Sequence, residues 1–296
     1  MRETRGSQTA QFMALFRVLE SQRAAGARLF DDPFAVGFLG PGLRFVAWLS
    51  RNPLLRGLIT RLIDALWPGA RSAGVARTRL IDDALDRALD GGGFEQVVLL
   101  GAGFDARAHR LPCLAQMPVF EVDHPNTLEE KQRRIESHSA SPTDRSIYVA
   151  LDFNRQPLGD ALAKAGFDPN RCAFFVLEGV TNYLTAEAVD SLLRFVSSTV
   201  PSSRLLFTYV HRDVLSATSR FPGAWLLRRT LRRASEPWTF GLDPSRLDSY
   251  LGERGLVLVR DEGSREYRER YLGGRERLLE GYEFYRAAIA DVVPRP

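Results

Sequence analysis

Five short runs of unbroken apolar character, at 97–100 (VVLL), 118–122 (PVFEV), 146–151 (SIYVAL), 173–177 (AFFVL) and 204–210 (RLLFTYV), constrain this chain more than any other feature. A strand that faces water on one side alternates apolar and polar residues. A run without alternation is buried on both faces, as in a parallel sheet sandwiched between helices. The segments between the runs carry helical spacing, at about 125–137, 158–166 and 185–199, the last with Thr185 as a cap. Strand and helix in alternation predict a doubly wound, Rossmann-like α/β sheet, mostly parallel. LVLVR (256–260) and EYRERYL (266–272), separated by DEGS, are expected to close it as an antiparallel hairpin.

The residues before the first run read as helices. Phe12, Leu15, Phe16 and Leu19 recur at helical spacing after Ser7 and Thr9, either of which suits a cap, so 8–24 is expected to be amphipathic helix. DDPF then offers Asp32 as a cap and Pro33 as a first helical residue. Between Pro53 and Pro68, Leu55, Leu58, Ile59, Leu62, Ile63 and Leu66 form a stripe, expected to belong to a cap helix rather than to one lying on a membrane. A helix at about 76–90 ends in the run Gly91 to Gly93. The expected organisation is one domain over 1–296, with a helical cap (1–75), a ligand-binding core (76–211), and a partial cap with the last strands (212–296).

Directly after the first run, Gly101, Gly103 and Ala106 fit G-x-G-x-x-G/A, and the second run leads into Glu121 and Asp123. Small residues let backbone approach a ligand at the strand's carboxyl end, and the acid accepts hydrogen bonds from ribose. Asp105 discriminates among nucleotide ligands. A dinucleotide's pyrophosphate on the helix N-terminus would be repelled by it, which disfavours an NAD-dependent oxidoreductase. S-adenosylmethionine has no phosphate and carries a sulfonium and an ammonium, with a carboxylate that Arg77 or Arg79 in ARTRLIDD is placed to meet. Asp152 in ALDF and Glu178 in LEGVTNYL add acids at two more strand ends, where ligands of open α/β sheets bind. Asp105, Asp123, Asp152 and Glu178 are therefore read as one site.

In this order, ARTRLIDDAL, VVLLGAGFDARAHRLP, FEVDHP, ALDF and FVLEGVTNYLTAEAVDSLL resemble the leucine carboxyl methyltransferase family, particularly its bacterial branch of S-adenosylmethionine-dependent O-methyltransferases, which includes polyketide carboxyl methyltransferases of the tetracenomycin type. The resemblance spans about 7–210, with a further segment at 236–251; none of its motifs falls in 40–75 or 212–235. It implies a class I methyltransferase fold in which Arg77 grips the methionine carboxylate and Gly101 lines the loop beneath the cofactor. It further implies that Asp123 holds the ribose, Asp152 and Phe153 the adenine, and Glu178 the methionine end, with Arg17 closing over the cofactor.

Methyl transfer from a sulfonium needs alignment and desolvation above all. A carboxylate acceptor is already ionised at pH 7, whereas a hydroxyl needs a base. His211 and His124 are the candidate bases, and Tyr183 and Tyr209 the candidates for orienting a substrate oxygen. The segments 43–67 and 212–240, with the first helix, are expected to roof an apolar acceptor pocket with Phe45, Trp48, Trp67, Phe221, Trp225, Trp238 and Phe240. The expected activity is O-methylation of a carboxylate or hydroxyl on a small molecule of secondary metabolism. Alternatives are a protein C-terminal carboxyl or RNA methyltransferase, and a non-catalytic module that binds S-adenosylmethionine.

Composition narrows the partners. The net charge of +4 arises from scattered arginines, with lysine only at 131 and 164, so nucleic acid is not expected. The exception is Arg228, Arg229, Arg232 and Arg233, read as a solvated helix face. Cys113 and Cys172 have neither CxxC spacing nor a neighbouring histidine, so no disulfide framework or metal site is expected. Without an apolar leader or an uninterrupted apolar span, the expected location is the cytoplasm, with no membrane partner.

Overall fold

A computed structural model describes residues 8–137, 146–274 and 280–294. The chain begins with α1 (Gln8–Ser21), α2 (Pro41–Leu49), α3 (Pro53–Leu66) and α4 (Ala70–Asp90). The sheet region then runs β1 (Gln96–Leu100), α5 (Arg107–Arg110), β2 (Val119–Asp123), α6 (Pro125–Glu136), β3 (Ser146–Ala150), α7 (Leu158–Lys164), β4 (Ala173–Leu177), α8 (Ala186–Ser197) and β5 (Arg204–Val210). It finishes with α9 (Ala224–Arg233), α10 (Leu247–Gly252), β6 (Leu256–Gly263), α11 (Ser264–Leu272) and β7 (Tyr285–Val292).

All seven strands join one sheet in the order β3-β2-β1-β4-β5-β7-β6. Strands β1 to β5 are parallel, and β7 runs antiparallel between β5 and β6. This is the class I methyltransferase arrangement, mixed rather than purely parallel. Unbroken hydrophobicity has the expected cause. On β1, Val97 and Leu99 enter the core beneath α1 and α4, while Val98 and Leu100 enter the core beneath α7 and α8. On β4, Phe174 and Val176 face the first core, and Phe175 and Leu177 the second. Each such side chain contributes about 1.5–3 kcal/mol on burial, so exchanging either face for polar residues would unfold the sheet. The chain reverses its strand order between β1 and β4, opening a crevice at their carboxyl ends.

Local signals account for the flanking helices. Thr185 caps α8 by accepting from the Ala188 N–H, and Asn52 caps α3 with Pro53 at its first position. Of the two caps expected for the first helix, Ser7 lies outside the described residues, and Thr9 lies within α1 and bonds Glu236 instead. Asp32 does cap, accepting from the Phe34 and Ala35 N–H groups, but the element it starts is a single 3-10 turn at Ala35–Phe38 rather than a full helix.

One strand expectation is overturned. Residues 266–272 form α11, not the second arm of a hairpin. Ser264, Tyr267, Arg268 and Leu272 are buried at spacings of three and four, a helical face, and the Glu266 carboxylate accepts the Gly263 N–H at the helix start. The partner of 256–263 is instead 285–292 (YRAAIADV), whose alanines have little strand propensity of their own. It is placed by seven paired positions along β5.

Candidate active site

A cavity of about 1170 Å³ opens over the carboxyl ends of β1, β2 and β4 and runs beneath α1, α4 and α9. Gly101 (φ +71°) and Gly103 (φ +39°) turn the chain at its floor. A Cβ at Gly101 would lie 2.2 Å from Val180 Cγ2, so the close approach of the loops after β1 and β4 requires glycine there. The Gly103 N–H donates to Asp123 Oδ2 (2.7 Å) and the His124 N–H to Asp123 Oδ1 (2.6 Å). Burial raises the Asp123 carboxyl above its ordinary value, against the pull of these two amides. Each oxygen keeps lone-pair capacity towards the cavity that it lines. Asp152, Phe153 and His124 line the neighbouring wall; Asp152 Oδ1 takes the Asn154 N–H, and His124 Nδ1 takes the Asn126 N–H at the start of α6.

At the ends of β1 and β4 the charge distribution differs from the sequence expectation. Asp105 and Glu178 do line the cavity, but neither waits for a cation. Arg107, only 3% exposed, donates through Nη1 to Asp105 Oδ2 (2.6 Å) and Glu178 Oε2 (2.7 Å), and through Nε to Asp82 Oδ1 (2.7 Å). Arg77 donates to Glu178 Oε1 (2.7 Å), with its guanidinium 4.8 Å from the centre of the Tyr285 ring. Arg110 takes the same oxygen of Asp82 (2.7 Å). Three carboxylates therefore meet three guanidiniums. Burial alone would raise the Glu178 carboxyl; the charges of Arg107 and Arg77 outweigh it and bring it down to about 2. Asp105 is likewise held below the carboxylate range, burial being outweighed by Arg107. The idea of four acids gathered to receive a cation thus needs correction: two are neutralised by the chain's own arginines, because unpaired charge is too costly to bury. Arg107 was missed, since it sits two residues after Asp105 and the pairing depends on α4 and β4 arriving from elsewhere in the chain.

Of the other expected residues, Arg17 lines the cavity, donating to Asp32 Oδ2 (2.8 Å) and to the Phe104 carbonyl (2.6 Å), and so ties α1 to the glycine loop. Arg79 takes no part in the cavity; it pairs with Asp83 (2.7 Å). Tyr183 lines the cavity, and burial pushes its phenol up to about 12, so it is a neutral donor at physiological pH. Tyr209 and His211, expected in the site, do not line the cavity. Tyr209 is fully buried, donating to Asp261 Oδ2 (3.0 Å) and accepting from Arg286 Nε (3.0 Å). His211 turns away to cap a 3-10 turn, its Nδ1 accepting the Asp213 N–H, with Arg220 2.9 Å from Nε2. Burial, then the Arg220 charge, lowers its pKa.

The roof is also rearranged. Only Trp67 and Trp238 of the seven expected aromatic residues line the cavity; Phe12, Met13, Leu227, Leu231, Tyr282 and Tyr285 supply the rest of the apolar lobe. One carboxylate, Glu236, enters it and accepts from the Gln8 N–H (2.9 Å) and Thr9 Oγ1 (2.6 Å), capping α1 from the far side of the cavity.

With a glycine-floored cavity at the strand ends established, similarity to known proteins becomes informative. The leucine carboxyl methyltransferase family model matches residues 10–197. This chain belongs to the leucine carboxyl methyltransferase family. A protein of Frankia alni, described by inference as an S-adenosyl-L-methionine-dependent methyltransferase, is 40% identical over 209 residues, 68% of either chain. A similarly described protein of Mycobacterium tuberculosis is 32% identical over 251 residues, 81% of this chain and 68% of the relative. Among solved structures, a DUF574 family protein from Streptomyces avermitilis superposes with a TM-score of 0.58 at 16% identity, covering 93% of this chain and 99% of that one. A protein from Thermobifida fusca, described by inference as a methyltransferase, gives 0.56 at 15% identity, covering 93% and 97%. At these identities the structures speak to the fold alone.

Proposed function

We propose that this S-adenosyl-L-methionine-dependent methyltransferase of the leucine carboxyl methyltransferase family methylates an oxygen of a small molecule, a carboxylate before a hydroxyl. The observation that carries the reading is the single cavity in which the glycine loop and Asp123 meet an apolar lobe containing Tyr183. The donor's fit rests on the chain's own atoms: a floor without Cβ atoms at Gly101 and Gly103, and an Asp123 with lone pairs to spare for ribose hydroxyls. Asp152 and Phe153 would hold the adenine, and Arg77 with Glu178 the methionine end. Bound there, the donor supplies an electrophilic methyl group on a sulfonium.

The chain's part is then to position an acceptor and keep water out. Phe12, Met13, Trp67 and Leu231 exclude water from the lobe, which strengthens every polar contact inside it. Tyr183, protonated below about pH 12, donates to the acceptor oxygen rather than taking its proton. Neither His211 nor Tyr209 reaches the lobe, and the Nδ1 of His124, on the cavity wall with Asp152 and Phe153, is taken by the Asn126 N–H, so an oxygen already ionised at pH 7 suits the lobe better than an alcohol. Polyketide-type acids are the acceptors that this favours. The test is calorimetric titration with S-adenosyl-L-methionine, S-adenosylhomocysteine and NADH, followed by a panel of carboxylic and phenolic acceptors. Methyl esters release methanol in mild alkali, whereas ethers do not. Tight NADH binding, or alkali-stable product only, would reject the carboxylate reading.

A further inference from the structure

The stripe expected on α3 splits: Ile63 is buried and Ile59 packs on the core, while its leucines face outward. Ile63 is the buried residue of the helix, whereas Leu54, Leu58, Leu62 and Leu66, spaced four apart, are 83, 63, 59 and 54% exposed. That spacing places them in one row along the helix. On α2, Phe45 and Trp48 stack on each other with centroids 5.8 Å apart while both remain more than half exposed. The row on α3 ends at the cavity: Leu66 is followed by Trp67, which lines it against Phe12. A second helix of the same cavity repeats the chemistry. On α9, Leu227 and Leu231 line the cavity, while Trp225 and Leu226 are exposed, with the Arg229 guanidinium 5.5 Å from the Trp225 ring centre.

The segments that carry these apolar faces are rich in arginine and poor in acid. From Pro33 to Ile81 the sole acid is Asp64, and it is held by Arg71 (2.7 Å), whereas Arg44, Arg51 and Arg61 are exposed. On α9, Arg229, Arg232 and Arg233 are exposed and no acid intervenes. A second copy of this chain across a two-fold axis would bring this arginine-rich patch against itself. A nucleic acid would satisfy the arginines and leave the leucine row in water. An anionic lipid surface satisfies both, with headgroup phosphates for the arginines and the acyl boundary for leucine and tryptophan. We propose that α2, α3 and α9 form a docking face for an anionic bilayer surface, with the cavity's rim at that interface. The face goes beyond the proposed methylation and does not depend on which acceptor the cavity takes.

The experiment is flotation of the full chain with vesicles of phosphatidylcholine alone and of phosphatidylcholine mixed with phosphatidylglycerol. Co-flotation with the mixed vesicles, weakened by salt, is expected. The pair Leu58→Glu and Leu62→Glu should lower binding by more than about tenfold, and each of Arg51→Gln and Arg61→Gln by about fivefold. All four side chains are exposed, so the melting temperature and the affinity for S-adenosylhomocysteine should stay at the parent values, which separates lost docking from lost folding. Flotation with neither vesicle overturns the proposal. So does a dimer in sedimentation that the leucine pair dissolves without any vesicle binding, or retention of RNA in place of vesicles.

Discussion

Around the strand ends, Asp105, Glu178 and, from α4, Asp82 are each held by Arg77, Arg107 or Arg110, and Asp123 is fixed by two backbone amides. The cap across the same cavity contributes Phe12, Met13, Trp67 and Leu231, and one carboxylate that grips the start of α1. The first region is specified by directional contacts that fail when one partner is lost. The second is specified by shape and hydrophobicity, which tolerate exchange among residues of similar volume. The difference teaches where tolerance should lie: the donor half should be intolerant and the acceptor half adaptable.

Arg107→Met is the harshest way to break this contrast. It strands Asp105 in the interior and leaves Asp82 to Arg110 and Glu178 to Arg77 alone, and should cost about 3–5 kcal/mol in denaturant unfolding, with donor affinity lost as well. It should also alter acid sensitivity. Glu178 titrates at about 2 in the folded chain against an ordinary 4.5, so the stability it contributes is complete above pH 4.5 and drains away as pH falls towards 2. Without Arg107 its carboxyl rises and the loss should begin at higher pH, visible in melts taken from pH 7 downwards. A variant as stable as the parent would show that the three acids are not held in this way.

Gly101→Ala comes next. The new Cβ meets Val180 at a backbone angle that disfavours alanine, so a cost of about 2–4 kcal/mol and at least tenfold weaker S-adenosylhomocysteine binding are expected by calorimetry. Asp123→Asn should cost both donor and fold: a drop in affinity of about tenfold to a hundredfold, and about 1–3 kcal/mol of stability because the new NH2 group faces one of the two backbone N–H donors that the carboxylate accepts. Tyr183→Phe should lower kcat/KM about tenfold while donor affinity stays constant. His211→Ala should change turnover less than about twofold; a larger loss, with a pH profile to match, would restore it as a base and return hydroxyl acceptors to first place.

Much of the fold was legible because parallel strands buried on both faces leave no room for polar alternation, and all five parallel strands fall where the apolar runs do. The seventh strand was not legible. YRAAIADV has the composition of a helix, and only the open edge of β5 makes it a strand, while EYRERYL carries two tyrosines, a residue type common in strands, whose spacing of four suits the helix that packing makes of it. In the candidate site, Gly101, Gly103, Asp123, Asp152, Phe153 and Tyr183 could be placed from the strand ends they follow. Tyr209 and His211 could not, since successive residues at a strand's end point to opposite faces of the sheet and the chain beyond β5 turns out of the crevice.

The sequence by itself determined the layers of this protein and the rim where its cavity opens, because hydrophobic period and glycine placement are local properties. Which charges neutralise which, and which way the cap's leucines face, was decided only in the tertiary structure. Arg107 finds Asp82 and Glu178 across 25 and 71 residues of chain, and no local rule encodes a pairing over that distance. The leucine row of α3 is equally apolar whether it faces in or out, so periodicity marks the face and only packing chooses its direction.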